Sequence, residues 1–91
     1  MAVFEITYDL LNPRQNYDGL YELLRTWNAV QALLSVWLIE SNLTAEQIRD
    51  AIKAKVDSND RILVVEIAFI SHWGSKDLMP SATQWLTDRR P

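Results

Sequence analysis

Two stretches that alternate residue by residue enclose two amphipathic helices, and this order restricts the chain more than any other feature. From Val3 to Asp9, Phe4, Ile6 and Tyr8 face one way while Glu5, Thr7 and Asp9 face the other, the pattern of a strand with one buried face. From Arg61 to Ile70, Leu63, Val65, Ile67 and Phe69 oppose Ile62, Val64, Glu66 and Ala68. Both faces of this second strand are largely apolar, which predicts a central strand or one covered on both sides.

The segments between them alternate in kind. Tyr17, Leu20, Leu24 and Trp27 fall at helical spacing, predicting a helix over 17–28 with Asn16 as its cap. Residues 29–41 are rich in strand formers and read as one bent strand or as two short strands folded near Leu34-Ser35. No Gly or Asn marks a tight turn there. Thr44 and Gln47 form a capping box, and Leu43 and Ile48 a hydrophobic staple, so a second helix starts at 44 and runs toward the Asp57-Ser58-Asn59-Asp60 turn. After a loop over 71–80, Ser81 and Gln84 predict a second capping box, with Trp85 and Leu86 as apolar contacts. The tail from Asp88 to Pro91 reads as frayed.

Strand, helix, strand pair, helix, strand is the order of the split βαβ arrangement. It predicts an α+β, ferredoxin-like fold: an antiparallel sheet with two helices on one face, plus a short C-terminal helix. First and last strands would then lie side by side, with Glu5, Thr7 and Asp9 on a helix-free face. A chain of 91 residues suffices for one such domain, over 1–91.

Composition narrows the chemistry. There is no cysteine, which excludes disulfides and thiol catalysis and suits a reducing cytoplasm. The apolar runs are too short for a membrane span, and Glu5 and Asp9 interrupt any signal-like stretch. His72 is the only histidine, so paired-histidine metal sites are excluded; it reads as a loop residue at the surface. The net charge of −3 limits nucleic-acid contact to a local basic patch. Trp73 and Trp85 could stack on bases, although packing of the last helix is the simpler role.

The end of the first strand carries a resemblance. Ile6-Thr7-Tyr8-Asp9, Gln31, Ser35-Val36-Trp37 with Glu40, and Asp60 before the last strand together resemble the small CRISPR adaptation protein family, the second member of the adaptation pair. The pattern is also similar to virulence-associated protein D, a relative proposed as a ribonuclease toxin. The similarity covers about residues 3–70. It implies a ferredoxin-like homodimer acting on nucleic acid, in which Asp9 approaches its twin and holds Mg²⁺ as the catalytic metal ligand. Hard ions take oxygen donors and keep waters, so one or two carboxylates suffice. Tyr8 and Arg14 would support the substrate, and Glu5 and Glu66 would extend the acidic site if they share the open face. The family's arginine-rich stretch is reduced here to Arg14, and its extra final strand is replaced by the helix around Trp85. A second reading follows from the same residues: a dimeric protein-interaction module that has kept the fold without the chemistry, with Asp9 ending a strand and capping a turn.

Overall fold

The computed structural model describes residues 1–12 and 16–91. Four strands form one antiparallel sheet: β1 (Ala2–Asp9), β2 (Val30–Leu33), β3 (Val36–Ser41) and β4 (Arg61–Ile67), in the order β2-β3-β1-β4. Helices α1 (Asp18–Thr26), α2 (Ala45–Lys53) and α3 (Ala82–Arg89) complete it. This is the ferredoxin-like arrangement that the alternation predicted.

Periodicity dictates the main core. On one sheet face Phe4, Ile6, Tyr8, Trp37 and Ile39 meet Leu20 and Leu24 of α1 and Ile48 and Ile52 of α2. Burying side chains of this size stabilises the fold by about 1.5–3 kcal/mol each. α2 begins where its sequence says: the Gln47 N–H donates to Thr44 Oγ1, and the Thr44 N–H donates to Gln47 Oε1. α1 starts one residue later than expected. Tyr17 is its cap position, while Asn16 acts from outside by accepting from the Asp18 N–H at 2.8 Å.

The segment 29–41 is a hairpin. It turns at Leu34-Ser35 without a turn-forming residue because contacts outside the turn hold it. Gln31 Nε2 donates to the Leu34 carbonyl, and the Tyr8 N–H donates to the Ser35 carbonyl.

The second sheet face corrects three expectations. It is not helix-free: Ala82 and Leu86 of α3 pack on Ala32 and Leu38, with Val36, Ile67, Trp73 and Trp85 around them. α3 lies over the β2–β3 side; β1–β4 is covered at its Val3–Ile67 end, where Val3 is fully buried and Ile67 packs on the α3 cluster, and is open toward Asp9 and Arg61. β4 is therefore an edge strand that ends at Ile67, with Leu63 60% and Val65 44% exposed. Its doubly apolar pattern reflects an uncovered face, not a second helix layer.

The α3 ends also differ from expectation. Ser81 sits in the left-handed region at φ 75°, not in the extended conformation from which Thr44 caps α2, and its side chain forms no capping bond. Gln84 instead donates to Asp88. The tail is anchored: Arg90 Nε donates to the Ile67 carbonyl, the Trp73 indole N–H donates to the Arg90 carbonyl, and Arg89 lies over the Trp85 ring. Arg89 Nε is 2.9 Å from Glu40 Oε1, an ion pair tying α3 to β3.

Among the described residues, no helix is long and apolar enough to cross a membrane.

Candidate functional site

Asp9 closes β1 at the uncovered corner of the second face. Its register partner is Arg61, the first residue of β4. Asp9 Oδ2 and Arg61 Nη1 stand 3.7 Å apart, with side chains 61% and 74% exposed. Thr7, Tyr8, Asp9, Arg61, Ile62 and Leu63 line a shallow hollow of about 130 Å³ here. A carboxylate and a guanidinium side by side in open solvent interact weakly, on the order of 0–1 kcal/mol. Either group can be drawn off by a stronger ligand.

Tyr8 is adjacent in sequence but lies on the opposite face. It is buried among the helices, and its hydroxyl accepts from the Trp37 indole N–H at 2.9 Å. Burial holds this hydroxyl above its ordinary titration range, with the Trp37 bond pulling the other way. Tyr8 is thus an anchor for the strand end, clamped at its N–H by Ser35 and at its hydroxyl by Trp37. Tyr8, Ser35 and Trp37 form one hydrogen-bonded unit beside the hairpin turn, Gln31 holds the turn itself at the Leu34 carbonyl, and Asp9 is the next residue out from Tyr8.

The other candidates fall apart from this corner. Glu66 pairs in register with Phe4 and so lies on the helix face, whereas Glu5 pairs with Val65 and Leu38 on the second face. The two carboxylates cannot share a site. Glu5 accepts from the Thr7 hydroxyl at 3.1 Å. His72 is exposed in a groove of about 440 Å³ with Phe69, Ile70, Trp73 and Pro91. Arg14 lies outside the described residues. Trp73 and Trp85 are half-buried in the packing of α3.

One constellation beside Asp9 was not anticipated. Asp60 accepts three hydrogen bonds, from the Leu11 N–H, the Asp57 N–H and the Tyr17 hydroxyl, each at 2.8 Å. Asn12 Nδ2 bridges Asp57 and Asn59. Burial pushes the Asp60 carboxyl up, but the donors together outweigh it and hold the group below the ordinary range. Burial and the bond to Asp60 push Tyr17 up. The cluster ties the loop after β1 to the turn before β4 and thereby fixes the corner where Asp9 and Arg61 meet. Its sequence signals are the run Asp57-Ser58-Asn59-Asp60, which looks like an ordinary turn, and the place of Asp60 in the resemblance, neither of which points to Leu11, Asn12 or Tyr17.

The donors at the corner fit a hard divalent cation only in part. Asp9 offers one carboxylate, and no group of three or more His, Asp or Glu residues converges anywhere among the described residues. One carboxylate satisfies an ion such as Mg²⁺ where waters and a phosphate fill the remaining positions. No family model matches the chain, and no solved structure matches it.

Proposed function

We propose that the chain is a homodimeric cytoplasmic protein of the CRISPR-adaptation or virulence-D kind that binds nucleic acid and cleaves it with Mg²⁺ at Asp9. The observation supporting this most is Asp9 itself. It is an exposed carboxylate at the end of a rigidly clamped strand, on the half-face that no helix covers, with a guanidinium beside it.

Asp9 would hold the ion by one carboxylate oxygen. The ion would polarise a phosphodiester and activate a water. Arg61 is placed to leave Asp9 and take a phosphate oxygen, a role its planar fork suits. It supplies the local positive charge that an acidic chain otherwise lacks. Tyr8 keeps the strand end from shifting and does not reach substrate. Arg14 is a second candidate for a phosphate contact.

The test is hydrolysis of single-stranded RNA and double-stranded DNA by the pure chain, with Mg²⁺ and with EDTA, beside Asp9→Ala. Metal-dependent cleavage lost in Asp9→Ala is expected. Absent cleavage, or cleavage that survives the substitution, overturns the catalytic reading. The exposed apolar side chains Leu63, Val65, Phe69 and Ile70 favour the second reading, a protein-interaction module, in that event.

A further inference from the structure

The two edges of the sheet are treated differently. β2 is four residues long, its pairing with β3 is broken by a bulge between Gln31 and Leu33, and its Ala32 carbonyl accepts from the Met79 N–H. Short strands, bulges and covering segments are the devices by which proteins close an edge. β4 has none of them. It pairs with β1 from Asp9↔Arg61 to Val3↔Ile67 without a register shift. Its outer edge carries the run Ile62-Leu63-Val64-Val65, with no Pro or Lys. Among the described residues, the only bond to its backbone from outside the sheet is Arg90 on the Ile67 carbonyl.

We infer that the open edge of β4 pairs antiparallel with β4 of a second copy, about a two-fold axis at Val64, to give one continuous eight-stranded sheet. The inference deepens the homodimer of the reading above and rests on that part of it alone. With Val64 opposite itself, all seven residues of the strand find partners. Leu63 then faces Val65 of the other copy on the open side, covering two of the most exposed apolar side chains of the sheet. Ile62 faces Glu66 of the other copy on the helix side.

Charge selects a second copy as the occupant. Arg49 of α2 lines a groove with Glu46, Ile62 and Val64 at this edge; its guanidinium also holds Asp50 of its own helix at 2.9 Å, an exposed pair worth little that leaves it able to take a second carboxylate. Glu66 is exposed on the same face and pairs with no cation of its own chain among the described residues. The two-fold carries each Glu66 to the Ile62 end of the other strand, beside Arg49. Parallel pairing would set Glu66 against Glu66, and like charges directly opposite destabilise a ladder. The same geometry departs from the approach of the twin aspartates that the resemblance implies: it keeps the two Asp9 carboxylates apart, since each lies one strand in from the edge and at opposite ends of the joint. Each protomer then carries its own site.

Sedimentation of the full chain should show a concentration-dependent dimer. Glu66→Arg should weaken it about tenfold, and adding Arg49→Glu should restore it to within about threefold. Because the chain has no cysteine, Val64→Cys introduces a single thiol on the axis, which oxidation should link across the dimer. Thr7→Cys, on the other face and one strand in, should stay unlinked. In the unmodified chain, the β4 amides should gain protection from hydrogen exchange as concentration rises. A chain that stays monomeric, a Thr7→Cys that links, or a charge swap that restores nothing overturns the inference. None of these outcomes touches the cleavage assay, so a monomer that cleaves at Asp9 leaves the catalytic reading standing.

Discussion

Trp37 and Tyr8 meet inside the main core, the indole N–H donating to the phenolic oxygen at 2.9 Å, the only side-chain pair of polar atoms hydrogen-bonded in full burial among the described residues. Removing one partner strands the other. Tyr8→Phe leaves the Trp37 N–H without an acceptor and should cost about 1–3 kcal/mol in urea unfolding. Trp37→Phe adds a cavity and should cost more. The double variant should be less destabilised than the sum of the two.

The Asp60 cluster makes stability depend on pH at both extremes. The folded carboxyl titrates below the ordinary 3.8, so its contribution is complete above that value and is lost as pH falls through the folded one. Tyr17 titrates above 10.0 when folded, so its contribution is complete below that value and is lost as pH rises through the folded one. Denaturant midpoints followed with pH should show Asp60→Asn flattening the acid limb. Tyr17→Phe should flatten the alkaline limb and leave the neutral plateau lower.

Two threonine or serine helix starts should respond differently. Thr44→Ala removes a formed capping box and should cost about 1 kcal/mol. Ser81→Ala removes no capping bond and should cost nothing for the cap. Ser81→Gly relieves a left-handed backbone and should stabilise by up to about 1 kcal/mol. Thermal unfolding of the three variants side by side checks this.

Arg89 holds α3 by stacking on Trp85 at 4.1 Å and by its ion pair with Glu40. Arg89→Ala should loosen α3 by about 1–2 kcal/mol, read as faster amide exchange over 82–89 with α1 and α2 unchanged. Arg89→Lys should recover less than half of the loss, since the flat guanidinium serves both contacts at once.

The ion proposed for Asp9 has a readout apart from activity. Mn²⁺ added as a paramagnetic stand-in should broaden the amide signals of Thr7, Tyr8, Asp9, Arg61 and Ile62. Asp9→Asn should abolish the broadening. Arg61→Ala should tighten ion binding several-fold, because the neighbouring cation that competes for the carboxylate is gone.

Much of the fold was legible because its signals are local. The alternation of Val3–Asp9 and the Thr44–Gln47 box each determine an element from a handful of neighbours, and both stand in the structure. What was illegible depends on distant partners. The Leu34-Ser35 turn is held by Gln31 and by Tyr8 of another strand. The Ser81 box fails because its backbone is set where Met79 docks on β2. β4 was misread for a related reason: an apolar face looks alike in sequence whether a helix, a second copy or solvent lies over it. At the site, Asp9 was singled out by the family resemblance that Tyr8-Asp9 carries at the strand end. Its neighbour Arg61 could be found only once the register of β1 and β4 was known, and the separation of Glu5 from Glu66 follows from that same register.

The strand order has a consequence for how the chain comes off the ribosome. β1 sits between β3 and β4, yet it is made before either. One side of its ladder can close as soon as Ser41 has emerged, whereas the other waits until Ile67 has been made. During that interval the nascent chain presents a bare, apolar strand flank to its surroundings. Any pause in translation between α2 and the end of β4 prolongs the period in which neighbouring chains, or a chaperone, compete with β4 for that place.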